Sequence, residues 1–198
     1  DLAGLLFADG VMLVEGATET AAIGIWFPLL ATSRGRTLAD INVALFAVNG
    51  AQSLPFHIQY LVEFGVPWAV ICDADVLDLR TRNDLWRKLV ELGALGSIPT
   101  QNEFAALKLN AASCGIFTAN TELNEKGFEE IPGVKAYVDA HEPELPDKRS
   151  KPRRGRYIAR HLSCPDGVAR TIEAAYSWLR TSALEEARRY ASSLEPRV

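Results

Sequence analysis

Residues 10–19 read Gly10-Val11-Met12-Leu13-Val14-Glu15-Gly16-Ala17-Thr18-Glu19 (GVMLVEGATE). Four consecutive apolar residues bounded by glycines suit a central strand of a parallel sheet, which is covered on both faces and so shows no alternation. The run stops on a carboxylate, Glu15, and a second carboxylate, Glu19, follows one helical turn later. From Thr18 to about Leu30, Ala21, Ala22, Ile25, Trp26 and Leu29 recur at helical spacing. The stretch therefore predicts a strand, a tight turn at Gly16 and a helix opened by Thr18.

The same alternation continues downstream. Ile41 to Val48 (INVALFAV) predicts a second strand closed by Asn49-Gly50, a pair suited to positive φ. Leu54 to Phe64 predicts a helix after Ser53, with Pro55 in the first turn, where a missing N–H has no intrahelical partner. Gly65 and Pro67 end it, and Trp68 to Cys72 (WAVIC) predicts a third strand running into Asp73-Ala74-Asp75. This βαβαβ order implies an α/β fold, a mostly parallel sheet with helices on both faces.

Helices are expected over Arg82 to Leu92 and Phe104 to Leu109, and a fourth strand over Cys114 to Thr118. The acid-rich stretch Thr121 to Glu130 follows. His141 to Arg156 (HEPELPDKRSKPRRGR) carries prolines and charges and little that could enter a core, so it reads as a mobile loop. Tyr157 to His161 and Val168 to Arg189 predict helices packed on the sheet. The division expected is a catalytic core at 1–134 and a basic loop with a C-terminal helical part at 135–198.

The chain has 198 residues, 48% hydrophobic and 23% charged, which excludes disordered and collagen-like classes. No apolar run approaches the roughly 20 residues of a bilayer span, and no signal peptide is visible, so a cytoplasmic location without membrane contact is expected. The start on Asp1 suggests an excerpt from a longer protein. Cys72, Cys114 and Cys164 are few and scattered, as reduced core thiols are. Charge is unevenly spread: residues 1–134 hold 8 Lys+Arg against 16 Asp+Glu, net −8, and residues 135–198 hold 13 against 9, net +4. An acidic site beside an anion-binding surface would have this asymmetry, and so would solvated charged helices.

In an open parallel sheet, ligands bind outside the carboxyl ends of the strands. Glu15, Asp73 and Asp75 end two predicted strands there, and Glu19 can swing back from the start of its helix. Asp73 and Asp75, at i and i+2 on an extended chain, should share a face. Four such carboxylates raise one another's pKa unless a cation compensates them, and an all-oxygen set favours Mg²⁺ or Mn²⁺ over zinc. Singly these signals are weak; an apolar strand ending in Glu-Gly, then βα alternation, then a strand ending in Asp-x-Asp is more specific.

That combination, LVEGATE followed by VICDADV, resembles the Toprim domain of topoisomerases, DnaG-type primases and several nucleases. Glu15, Asp73 and Asp75 stand at the Toprim motif positions, and Glu19 makes the chain most similar to the nuclease region of OLD-family (overcoming lysogenization defect) endonucleases. The resemblance implies a Toprim, Rossmann-like sheet and a metal-dependent DNA endonuclease, a hydrolase using two divalent ions, with Ca²⁺ a non-catalytic substitute. It implies a later acidic ligand, Glu122 or Glu125, and basic residues in the later part of the site, for which Lys108 and Lys151 are the candidates. It also implies DNA as partner and an N-terminal ABC-type ATPase domain, with homodimerisation possible; no G-x-x-x-x-G-K-[ST] loop occurs in this sequence.

Two-metal hydrolysis would place Glu15, Glu19 and one of Glu122 or Glu125 on one ion and Asp73 with Asp75 on the other, with a general-base role for Glu15 competing with ligation. Lys148, Arg149, Lys151, Arg153, Arg154, Arg156 and Arg160 form a run without an acid, as a DNA-phosphate surface would, and as a solvated loop would too. Alternative readings are a Toprim of primase or topoisomerase type and a non-catalytic, Mg²⁺-binding α/β module. A receiver-like module would need its phosphoacceptor aspartate on a middle strand, whereas here the acids begin at the first. His57 and the four tryptophans read as packing or capping residues.

Overall fold

The computed structural model describes residues 5, 7–33, 42–100, 103–125 and 127–194, with side chains through 185. Its sheet contains β1 (Gly10–Val14), β2 (Val43–Ala47), β3 (Trp68–Ile71) and β4 (Ile116–Phe117), all parallel, in the order β2-β1-β3-β4. Helices α1 (Ala17–Ser33), α2 (Leu54–Glu63), α3 (Asn83–Glu91), α4 (Phe104–Ala112), α5 (Pro132–His141), α6 (Lys151–His161) and α7 (Asp166–Leu194) cover it.

Burial on both faces explains the unbroken apolar runs. Val11, Leu13 and Val70 face one layer with Leu54, Ile58, Trp86 and Leu107 of α2, α3 and α4. Met12, Val14, Ala69 and Ile71 face the other, with Ile23 and Trp26 of α1, Ile158 of α6 and Ile172 and Leu179 of α7. Each core residue of this size removes apolar surface worth roughly 1.5–3 kcal/mol from water, so a polar residue at any of these strand positions would be costly. Among the described residues no helix is long and apolar enough to cross a membrane.

Asn49 (φ 59) and Gly50 (φ 123) take the positive φ expected of the pair after β2. His57 Nδ1–H donates to the Ser53 carbonyl (2.7 Å) and the ring packs on Phe46 and Phe56, while Trp26, Trp86 and Trp178 each donate to a backbone carbonyl.

Two expectations need correction. The stretch from His141 to Arg156 is not one loop: a 3₁₀ turn spans Glu142–Glu144, and α6 begins at Lys151. Pro152 lies in its first turn, where it costs no hydrogen bond. The helix is held to α1 through Gly155, whose Cα lies so close to the Thr18 carbonyl that a Cβ would collide with it. The second correction concerns Asp73 and Asp75: the chain leaves extended geometry after Asp73 and forms a 3₁₀ turn over Ala74–Leu77, so the two do not share a strand face.

Candidate active site

Strand order fixes where the site lies. From β1 the chain crosses through α1 to β2 on one side, and the return crossing, through α2 on the opposite face, reaches β3 on the other side. The crossovers thus diverge between β1 and β3, and Glu15 follows the carboxyl end of β1 directly while Asp73 stands two residues past that of β3. The Asp73 N–H donates to Glu15 Oε2 (3.1 Å), and the Glu15 N–H donates to the Ile71 carbonyl (3.2 Å), locking the two strand ends together.

Glu19 lies in the first turn of α1, where the helix dipole and its own backbone N–H favour a carboxylate. Gly16 supplies the space, since a Cβ there would run into the Glu19 carboxylate. Gly127, at φ 123, brings the following acidic segment beside Asp73, where a Cβ would make an ordinary contact of 4.0 Å with Asp73 Oδ2.

The charges crowd in a desolvated space. Burial raises the Glu15 pKa, and repulsion from Asp75 adds to it, against the Asp73 N–H and Arg82. Burial likewise raises Glu19, helped by Glu15 and Glu129 and opposed by Lys151. Asp73 is pushed up to about 8, first by burial and then by Glu19, Glu15 and Asp75, with Lys151 again opposing. Glu15, Glu19, Asp73 and Asp75 therefore form one electrostatic cluster, and the structure brings Lys151 to it. Lys151 and Gly155 are one turn apart on the face of α6 that meets α1, which is why this lysine reaches the start of α1.

Asp75 also lines an open cleft of about 570 Å³ with Asp78, Arg80, Arg82 and Glu122. Glu122 thus opens onto the same cleft as Asp75. Glu125 is engaged locally, accepting from the Thr121 N–H (2.6 Å) and Oγ1 (2.7 Å); partial burial acts upward on its pKa, and these bonds outweigh it. Lys108 is not among the groups acting on Glu15, Glu19 or Asp73: burial lowers its pKa against the pull of Glu125, and its ammonium donates to the Asn120 carbonyl (2.8 Å).

Of the basic run, Lys148, Arg149, Lys151, Arg153, Arg156 and Arg160 are exposed. Arg154 is a correction to the DNA-contact set. Its side chain is 2% exposed and its donors are taken by Glu129 (2.9 Å from Nη2), Glu142 (2.6 Å) and the Pro146 carbonyl (2.9 Å). A guanidinium so enclosed ties α6 to the acidic segment and presents nothing to a phosphate outside.

Three contributors escaped the sequence reading: Asp78, Arg82 and Glu129. Asp78 continues the Asp-x-Asp run at a spacing that only a 3₁₀ turn brings round, and it is held below the usual carboxylate range by Arg80 (3.1 and 3.3 Å). Arg82 and Glu129 had no pattern to mark them.

Among the described residues no three His, Cys, Asp or Glu side chains stand together at ligand spacing, so the acids are a cluster of negative charge and not a closed cage. Their chemistry nevertheless fits a hard divalent cation: oxygen donors only, partly desolvated, with pKa values raised by burial and by one another's charge.

Comparison with known proteins agrees with this geometry. Residues 6–75, the segment from before β1 to Asp75, match the family model described as overcoming lysogenization defect protein-like, TOPRIM domain. Its fold is of the kind seen in OLD-like Toprim regions. Similar solved structures include the C-terminal region of the Xanthomonas campestris pv. campestris OLD protein, at 19% identity and a TM-score of 0.58 over 93% of this chain and 98% of that one. The C-terminal region of the Burkholderia pseudomallei OLD protein is similar at 18% identity and a TM-score of 0.53, over 89% and 99%. Both likenesses extend the shared fold beyond the Toprim motif to the helical part that follows it. No curated protein sequence matches.

Proposed function

We propose that this Toprim chain is the nuclease part of an OLD-type protein: a DNA endonuclease that hydrolyses phosphodiester bonds with two divalent ions, Mg²⁺ or Mn²⁺. The observation that carries the reading is the joint desolvation of Glu15, Glu19 and Asp73 at the divergence of the crossovers, with Lys151 alongside. In the full-length protein, an N-terminal ABC-type ATPase domain would accompany it, acting in the cytoplasm, and the pair could dimerise. The catalytic core lies in 1–134 and the basic, helical part in 135–198.

Glu15, Glu19 and Glu122 would hold one ion, and Asp73 with Asp75 the other. Glu122 is preferred to Glu125 because it shares a cleft with Asp75, whereas Thr121 already occupies the Glu125 carboxylate. Bound divalent ions supply water activation and stabilisation of the leaving oxygen. Asp73, whose pKa is pushed up to about 8 by burial and neighbouring carboxylates, would hold an ion as its carboxylate, with the ion supplying the counter-charge that the site otherwise lacks. Glu15, fixed by the Asp73 N–H, is placed to hold an ion or to accept the proton of an attacking water. Lys151 is placed to offset the negative charge that grows on the phosphoryl oxygens. Arg149, Arg153 and Arg156 would position the duplex by its phosphates, and Lys148, paired with Glu142, would join them only by leaving that carboxylate.

Plasmid nicking assayed with Mg²⁺, Mn²⁺, Ca²⁺ and EDTA, on the native chain and Asp73→Ala, tests the reading. Cleavage with Mg²⁺ or Mn²⁺, none with EDTA and at least about a hundredfold loss in the variant is expected. Ion binding without cleavage would favour a non-catalytic Mg²⁺-binding module instead.

A further inference from the structure

A second cavity, about 280 Å³, lies beyond the carboxyl end of β4 between α4 and α7. Its floor is apolar, from Leu77, Ile116, Phe117 and Ala112, and its polar groups include two cations, Lys108 and Arg170. Arg170 is exposed and, among the described residues, makes no hydrogen bond or ion pair. Lys108 spends one donor on the Asn120 carbonyl, keeps the other two, and has its ammonium over the Phe104 ring (5.4 Å to the centroid). Thr118 and Thr171 add hydroxyls to the wall.

The volume sits at the small end of ligand pockets, large enough for one heterocycle and too small for a base pair. Apolar and aromatic walls suit the faces of a base, and cations at the same opening suit the phosphate joined to it. Neither feature alone selects a ligand; together they match an amphiphile that is flat and apolar at one end and anionic at the other. The acids of the active site cannot take that role, because they repel phosphate unless cations are bound.

We infer that this cavity binds one unpaired nucleotide of the substrate strand, with its base against Phe117 and Ile116 and its phosphate between Lys108 and Arg170. The inference rests on the nuclease reading for the source of the nucleotide, and it adds a requirement that reading lacks: a base must leave the stack to be held. Lys108 thereby acts in holding substrate, away from the acids. A preference for frayed, gapped or single-stranded DNA over intact duplex follows.

The test is binding in EDTA, where the metal-dependent reaction is silent, so its outcome is independent of whether nicking is observed. Equilibrium dialysis of the full chain would use dAMP and TMP, with inorganic phosphate and deoxyribose 5-phosphate as probes for the anionic end alone. The nucleotides should bind about tenfold more tightly than either probe. Arg170→Glu should weaken them about tenfold or more, and Ala174→Trp, which fills the rim from an exposed position of α7, should abolish binding. Absence of nucleotide binding overturns the inference. So does equal binding of inorganic phosphate or of deoxyribose 5-phosphate, or undiminished binding in both variants.

Discussion

On Asp73, as on Glu15 and Glu19, burial and like charge act together, and the sign of its titration is informative. With its pKa pushed up to about 8 in the folded chain, against about 3.9 for a free aspartate, it holds a proton more tightly folded than unfolded. The stability this contributes is complete below about pH 4 and is lost as pH rises through about 8. In EDTA the native chain should therefore become less stable to urea from pH 5 to pH 8, by at most about 1.4 kcal/mol per pH unit from this residue. Asp73→Asn should flatten the slope, and Mg²⁺ added at pH 8 should restore stability to the native chain by binding the folded state. A native chain that gains stability over this range, or a variant with an undiminished slope, would contradict the placement of Asp73. At this scale Glu15, Glu19 and Asp73 were legible because a strand end fixes where its next residue goes. Arg82 and Glu129 were not, because they reach the cluster through turns whose geometry no spacing rule specifies.

Among the elements, α6 shows why part of the fold was hidden. Its buried side is Gly155, Ile158, Ala159 and an arginine, so it lacks the apolar repeat by which amphipathic helices are read. Proline in the first turn and five Lys or Arg residues among eleven made it look like a loop. Close approach replaces apolar area: Gly155 sits on Thr18, and the Arg154 guanidinium bridges Glu129 and Glu142. Gly155→Ala should expose the difference. Helix propensity favours alanine by about 1 kcal/mol, but its Cβ would meet the Thr18 carbonyl, a backbone atom that cannot turn aside. Overpacking of this kind costs about 1–3 kcal/mol, so the net effect expected is a lower Tm, measured by thermal melts. Cleavage should fall as well, because the same contact sets Lys151 beside Glu19 and Asp73. A variant with raised Tm and native cleavage rates would show that the crossing of α1 and α6 does not position the lysine.

For the whole molecule, the uneven charge resolves into two surfaces that must work on one polyanion. The acids lie at the ends of β1 and β3, while the exposed cations Arg149, Arg153 and Arg156 lie on or just before α6, the helix whose first residue reaches those acids. Electrostatic attraction on this scale comes from cations that remain free in the unbound chain, and here the structure divides a run that looks uniform in sequence. Arg154 is consumed internally, and Lys148 pairs with Glu142 (3.4 Å). Each phosphate neutralised on duplex DNA contributes about −0.9 to the slope of log K against log[salt]. Replacing Arg149, Arg153 and Arg156 together by alanine should therefore make that slope shallower by up to about 3, measured by fluorescence anisotropy with a labelled duplex and Ca²⁺ in place of Mg²⁺ to block cleavage. Because all three side chains are exposed, the Tm should stay near native, which separates lost phosphate contact from lost structure. Arg154→Ala is expected to behave the opposite way, lowering Tm by stranding Glu129 and Glu142 without removing a phosphate contact. An unchanged salt slope in the triple variant would place the DNA on another face of the sheet, away from α6.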